Sequence, residues 1–251
     1  MPASALALAA EAAVRAASLN LCTDEYLLLL ARPEQIVSVS HLSRDPLETT
    51  LAGAARRFPS NDGTLEGLAR RRPTLLLTMG SSGGDRLRIA GRLGMRVLDL
   101  PFPSSPQQVV DQARTVARAL GRPGAAEPYA AALARLRATQ PRLVEGALLG
   151  QAGQSISPDG LSAEWLRLAG YAQPALPGNR LTLERIATKP PRWLIESNYR
   201  RGQQSRGAAF LAHPLLRRLN SRILRTDGRP WTCGGLPMLA EVARLRHAQP
   251  R

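Results

Sequence analysis

The sequence predicts an α/β protein made of two Rossmann-like lobes with parallel sheets, joined by a single long helix and enclosing a cleft. Three observations carry that prediction. First, a phrase recurs: residues 64–78 read TLEGLARRRPTLLLT and residues 182–196 read TLERIATKPPRWLIE, an offset of 118 with no gap. Each copy reads as a short helix, a proline stop and an apolar strand. Second, strands alternate with loops and helices around both copies, the pattern of a parallel sheet with helices on its faces. Third, an Ala-rich helical stretch at 125–139 lies between the copies and is placed to connect two lobes. At 1.5 Å per residue it would span roughly 20 Å.

The elements follow in order. Residues 16–19 are apolar, and 24–31 (DEYLLLLA) read as a helix with Asp24 as N-cap or first-turn acid. Residues 35–40 (QIVSVS) have strand alternation, and a loop follows at 41–46. The first copy of the phrase gives a helix at 64–72, ended by Pro73, and a buried strand at 75–78. The Gly/Ser loop 79–85 leads into a helix at 85–93, which Gly94 stops. Strand 97–100 comes next, then a helix at 106–120 halted by the Gly-Arg-Pro-Gly of 121–124. In the connector, Pro128 is tolerated only in the first turn. The alternation then resumes with strand 143–149, loop 150–160 and helix 161–168. The second copy gives helix 182–188 and strand 193–196. Loop 197–207, a helical stretch at 208–219, strand 223–224, loop 226–235 and a last helix at 236–247 complete the chain. The division is a tail at 1–15, a lobe at 16–122, a connector at 123–141 and a lobe at 142–251.

Composition narrows the function classes. Apolar residues are 44% of 251, enough for a packed core, and no apolar run is long enough for a membrane-spanning helix. Net charge is +15, yet the Arg doublets are scattered and aromatics are only 4%, too few for a base-stacking platform. Nucleic acid is therefore not expected as a partner. A basic surface also suits an anionic ligand or anionic lipid. The opening MPASALALAAEAAVRAAS, with its Ala-x-Ala triplets, reads as the end of an export signal whose start lies upstream, or as an Ala-rich tail. Cys22 and Cys233 are either one disulfide or two buried thiols, and the absence of a Cys/His cluster speaks against zinc.

In order and spacing, four stretches resemble the periplasmic substrate-binding proteins of ABC importers for vitamin B12, siderophores and haem. They are ASLNLCTDEYLLLLARPEQIVSVSHLSRDP, the repeated phrase around Glu66 and Glu184, SPDGLSAEWLRLAG, and GRPWTCGGLPMLAEVARL. The resemblance covers residues 17–245. It departs from the family where an Asp normally follows the proline of the repeated phrase: Thr74 and Arg192 stand there. The resemblance implies an exported, periplasmic monomer that is not an enzyme and carries no catalytic cofactor. It implies a permease dimer with ATPase subunits as partner, and peripheral contact with the inner membrane. One glutamate per lobe, Glu66 and Glu184, would meet permease arginines. The residues alone favour each acid serving its helix dipole; the repetition together with the resemblance favours docking.

The ligand is expected at loops on the strand ends facing the cleft. In the first lobe these hold Asn20, Leu21, Cys22, His41, Leu42, Arg44, Met79, Gly80 and Ser81. In the second they hold Ser157, Pro158, Asn198, Tyr199, Trp231 and Cys233. Trp231 either stacks on a flat ligand or buries against the last helix. Tyr199 has the same two readings. His41 is either an axial ligand to a metal brought by the cargo or polar surface. Arg44 either meets a ligand acid or pairs with Asp45. Because a bridge between the cysteines would tie the lobes across the mouth, separate thiols are expected. Among cargoes, a corrinoid (cobalamin) is the first expectation and haem or a ferric siderophore the second. A different class, an enzyme using the loop Ser81–Gly84 for phosphate, lacks the P-loop Lys and the Rossmann glycine spacing.

Overall fold

The computed structural model describes residues 14–80, 84–200, 202 and 205–248. The expectations for residues 1–13 and for Ser81 lie outside these. The first lobe holds strands β1 (Ala16–Ser18), β2 (Ile36–Ser40), β3 (Ser60–Asn61), β4 (Leu75–Met79) and β5 (Arg96–Leu100). Its helices are α1 (Leu21–Leu30), α2 (Ala52–Ala55), α3 (Glu66–Ala69), α4 (Gly84–Arg92) and α5 (Pro106–Ala119). Helix α6 (Glu127–Ala138) precedes the second lobe. That lobe has strands β6 (Val144–Leu149), β7 (Tyr171–Ala172), β8 (Trp193–Ser197) and β9 (Arg222–Thr226). Its helices are α7 (Leu161–Leu168), α8 (Leu183–Thr188), α9 (Arg206–Leu211), α10 (Pro214–Arg217), α11 (Arg229–Cys233) and α12 (Met238–His247).

Both sheets are parallel, in the orders β3-β2-β1-β4-β5 and β7-β6-β8-β9. Superimposing the strands of the repeated phrase, β4 on β8, aligns β1 with β6, β2 with β7 and β5 with β9. The second lobe is thus the first without its outer strand β3, which is what the recurring phrase predicts.

The strand period of two sorts the core into layers. Ala16, Leu75 and Leu77 face inward, as do Leu148, Trp193 and Ile195 of the second lobe. All six belong to one apolar core shared by the two lobes, together with Tyr26 and Leu27 of α1, Val109 and Val116 of α5, Leu133 of α6 and Val242 of α12. Their neighbours face outward: Ala17 and Leu76 pack with Leu68 of α3, and Ala147 and Leu194 with Ile186 of α8. Each fully buried aliphatic side chain contributes about 1.5–3 kcal/mol, so the shared layer binds the lobes strongly.

Caps place the helices. Asn20 accepts from the Thr23 amide at 3.0 Å and starts α1 three residues earlier than the sequence predicts. Ser105 caps α5 through the Gln108 amide (3.2 Å), with Pro106 in its first turn. Helix α6 has 12 residues and packs against α5 and α12. Arg246 of α12 donates to Leu168 O at 2.5 Å, to Thr139 Oγ1 at 2.9 Å and to Leu136 O. It thereby closes the carbonyl ends of α6 and α7, where a cation is favoured.

The structure differs from expectation in three places. The two-residue strands β3 and β7 and the single turn α2 have too little sequence to carry a period. The stretch 226–235, expected as loop, contains α11, its end marked by Gly234 at φ 59°. The stretch 208–219 is two helices, because His213-Pro214 breaks it. No described helix is long and apolar enough to cross a membrane.

Candidate ligand-binding cleft

The segment that follows the carboxyl end of β2 meets the segments that follow β8 and β9, at strand ends where ligands bind in open α/β sheets. A cavity of about 460 Å³ lies between them. Pro46 and Leu47 of the first lobe line it, with Asn198, Arg200, Arg225, Asp227, Arg229 and Arg244 of the second. Four guanidinium groups line it, each held by a carboxylate: Arg200 by Glu48, Arg225 by Glu196 at 3.9 Å, Arg229 by Asp227 and Arg244 by Glu241. An acidic ligand would find directional donors there whose present partners it can replace or join.

Its walls are fixed by a hydrogen-bonded network. Arg229 holds Asp227 at 2.6 Å, and its Nη1 donates across the cleft to Pro46 O at 3.0 Å. Burial opposes ionisation of Asp227, but hydrogen bonds from Arg229 hold its carboxyl below the usual range. Arg244 donates to Glu241 at 2.6 and 2.9 Å, and Glu241 accepts from Thr226 Oγ1 at 2.5 Å. Thr226 in turn accepts from Trp231 Nε1 at 2.8 Å. A second cross-lobe contact lies at the pocket's edge: Glu48 accepts from the Tyr199 hydroxyl at 2.6 Å and from Arg200. Burial, then the bond to Glu48, pushes the Tyr199 phenol up.

Beside this network the lobes are joined covalently. Cys22 and Cys233 form a disulfide with Cα atoms 5.3 Å apart, against the expectation of separate thiols. The reason is local. Cys22 sits in the first turn of α1 against the shared core, and α11 ends directly beside it, so the bond joins surfaces already in contact. Neither cysteine lines the arginine pocket. Nearby, Glu25 is 3% exposed and its Oε2 has no hydrogen-bond partner. A side chain on Gly235 would run into that oxygen. Burial, then the neighbouring charge of Asp24, raises the Glu25 carboxyl to about 8. Burial raises Asp24 to about 7 despite hydrogen bonds from the amide and hydroxyl of Ser40.

The other expected ligand contacts are dispersed. Asn20 is a cap, and Leu21 and Met79 are buried. His41 and Leu42 are exposed at the end of β2, with His41 close enough to Asp62 to influence it. Arg44 donates to Ser60 Oγ at 3.2 Å rather than pairing with Asp45. Gly80, at φ 63°, lies under the ring of Phe102, which leaves no room for a side chain there. Ser157 and Pro158 form a half-buried turn in which Pro158 O accepts from Arg167 at 2.6 Å. Trp231 lies in α11, half-buried and packed on the shared core, and does not line the pocket. Asn198 and Tyr199 do reach the cleft network. Sequence reasoning missed Glu48, Arg225 and Arg244, none of which carries a local signal. No group of three or more metal-binding side chains occurs among the described residues.

The repeated acids have equivalent settings. Thr64 Oγ1 accepts from the Gly67 amide at 3.1 Å, and Thr182 Oγ1 from the Arg185 amide at 3.2 Å. The threonines therefore do the capping. Glu66 and Glu184 are exposed in the first turns of α3 and α8.

No protein-family model matches the chain, and no curated protein matches it. Among solved structures it is similar to the periplasmic heme binding protein HutB of Vibrio cholerae: TM-score 0.72, 21% identity, 93% of this chain and 98% of that one. It is also similar to the periplasmic heme-binding protein BhuT in complex with two hemes, with TM-score 0.68, 19% identity and coverage of 93% and 96%. A third similar structure is CeuE of Helicobacter pylori with Ni(II) bound, with TM-score 0.66, 13% identity and coverage of 93% and 82%. At these identities the likeness establishes the fold, that of two-lobed periplasmic binding proteins.

Proposed function

We propose that this protein is the non-catalytic substrate-binding component of an ABC importer, and that it captures a metal complex bearing carboxylates, of the haem type, between its lobes. The observation that carries this reading is the arginine-lined cavity at the strand ends. A propionate-bearing macrocycle supplies carboxylates of the kind these paired guanidiniums already hold, and so can share or take over their donors. A cobalamin, whose periphery is largely amide, does not, so the geometry moves haem ahead of the corrinoid expected from the sequence. The fold neighbours that bind hemes agree with that order. The cavity is small for a whole macrocycle, so one edge of the ligand would enter it and the rest would lie on the rim beside Leu47.

Three further features support the reading. A disulfide between lobes belongs to an oxidising compartment, which fits a periplasmic location. Two exposed acids on equivalent helices suit docking to a dimeric permease with its ATPases, with the protein a monomer that touches the inner membrane only through that partner. The shared core and the disulfide favour small lobe motions over wide hinge closure.

Titration of the purified protein with iron(III) protoporphyrin, cobalamin and a ferric siderophore, followed by absorption spectroscopy, tests the reading. A one-to-one spectral change with the porphyrin is expected. Saturation by cobalamin alone would restore the corrinoid, and a response to nucleotides alone would end the transport reading.

A further inference from the structure

We propose that Glu48 is an internal stand-in for a ligand carboxylate: it holds the cleft edge closed through Tyr199 and Arg200 until an incoming acid takes its place. This rests on the reading of the cleft as an acid-binding site.

Glu48 belongs to the first lobe, on the segment after β2, and is 7% exposed. Both its oxygens are taken by donors of the second lobe, Oε2 by the Tyr199 hydroxyl and Oε1 by Arg200. Two residues earlier, Pro46 O accepts from Arg229. The segment 46–48 is thus clasped to the second lobe at two points. Arg200 has two roles: it holds Glu48, and it lines the cavity.

The chemistry follows from this double role. A buried acid stripped of its cation is costly, and Glu48 is the buried member of the pair, Arg200 being half-buried and open to the cavity. A ligand carboxylate can take Arg200 while Glu48 turns outward to water, so one ion pair replaces another. A neutral ligand that opens the clasp breaks the Glu48–Arg200 ion pair without replacing it. Glu48 would therefore select for acidic cargo at the expense of affinity. A negative charge on the protein's own lobe rejects ligands that cannot replace it.

Glu48→Gln keeps the shape and an acceptor for Tyr199 but removes the charge facing Arg200. Iron(III) protoporphyrin should bind this variant on the order of tenfold more tightly than the wild type, within the usual range of coupling between sites. On an Arg200→Gln background the same substitution should gain nothing, because the competition runs through that guanidinium. Without ligand, backbone amides of 46–49 and 198–200 should exchange with solvent faster in Glu48→Gln, and also in Tyr199→Phe. Weaker porphyrin binding by Glu48→Gln, or exchange identical to wild type in both variants, would overturn the proposal. Faster exchange with no porphyrin binding by any variant would support the clasp and overturn the choice of haem-type ligand.

Discussion

Cys22, in the first turn of α1, is bonded to Cys233, the last residue of α11, across 211 positions of sequence. The bond joins the lobes beside the shared core, clear of the arginine pocket. Closing so long a loop restricts the unfolded chain strongly, and removal of a native disulfide typically costs about 2–4 kcal/mol. Replacing both cysteines by serine should lower the urea midpoint accordingly. Reductant should lower the wild-type midpoint to the same value and leave the variant unmoved. Equal midpoints for the wild type with and without reductant would show that the two thiols are not joined.

Asp24 and Glu25 set a pH dependence. Their ordinary values, 3.8 and 4.5, rise in the folded protein to about 7 and about 8. The native state therefore keeps protons that the unfolded chain has released, and stability falls as pH rises through this window. The contribution of these two groups is greatest below about pH 4 and stops falling above about pH 8, while Asp227, whose carboxyl is held below its usual range, contributes stability that is lost as pH falls. Glu25→Gln mimics the protonated acid. Its melting temperature should match wild type near pH 4 and exceed it by several degrees near pH 8. A variant that loses stability at pH 8 would mean that the Glu25 charge is paired in the native state.

Trp165 is fully buried in α7 and donates from Nε1 to Gly234 O at 2.9 Å. It stands under the turn that carries Cys233, and a side chain on Gly234 would strike Leu161 in the same helix. Trp165→Ala should cost about 3–5 kcal/mol. Trp165→Phe should cost less, keeping most of the apolar contact while leaving a buried carbonyl unpaired, about 1–3 kcal/mol. Chemical denaturation measures both, and equal losses for the two variants would mean that the ring's bulk contributes nothing.

What was legible in the sequence depended on length and period. The apolar run Leu75–Thr78 and its counterpart at Trp193 announced strands buried on both faces, and the recurring phrase announced two lobes, because these signals are local. The two residues of Ser60–Asn61 carry no period, yet they pair with β2. Helix α11 was hidden because Gly and Pro on both sides read as loop, while Pro230 in fact occupies a first turn. The cysteine pairing and the Glu48 clasp were invisible for another reason. Each joins positions more than 150 apart, and only the fold brings them together. The arginine pocket was half visible: Arg200 and Arg229 fell in expected cleft loops, whereas Arg244 is contributed by the last helix.

Glu66 and Glu184 stand at matching points of the two lobes, and their capping work is done by Thr64 and Thr182. Exposed first-turn acids contribute only about 0.3–1 kcal/mol to their helices. Reversing both charges with Glu66→Arg and Glu184→Arg should therefore leave the melting temperature within a few degrees of wild type. The cleft lies elsewhere, so the affinity for iron(III) protoporphyrin should also stay within about twofold, the scale of surface substitutions. Uptake by the reconstituted importer should be lost, since two arginines would face the permease arginines that the docking reading requires. Each single reversal should give an intermediate loss, because two equivalent contacts share the interface. A double variant that binds ligand normally and still supports uptake would remove these acids from the docking surface. One that loses ligand affinity would instead place them in the support of the cleft.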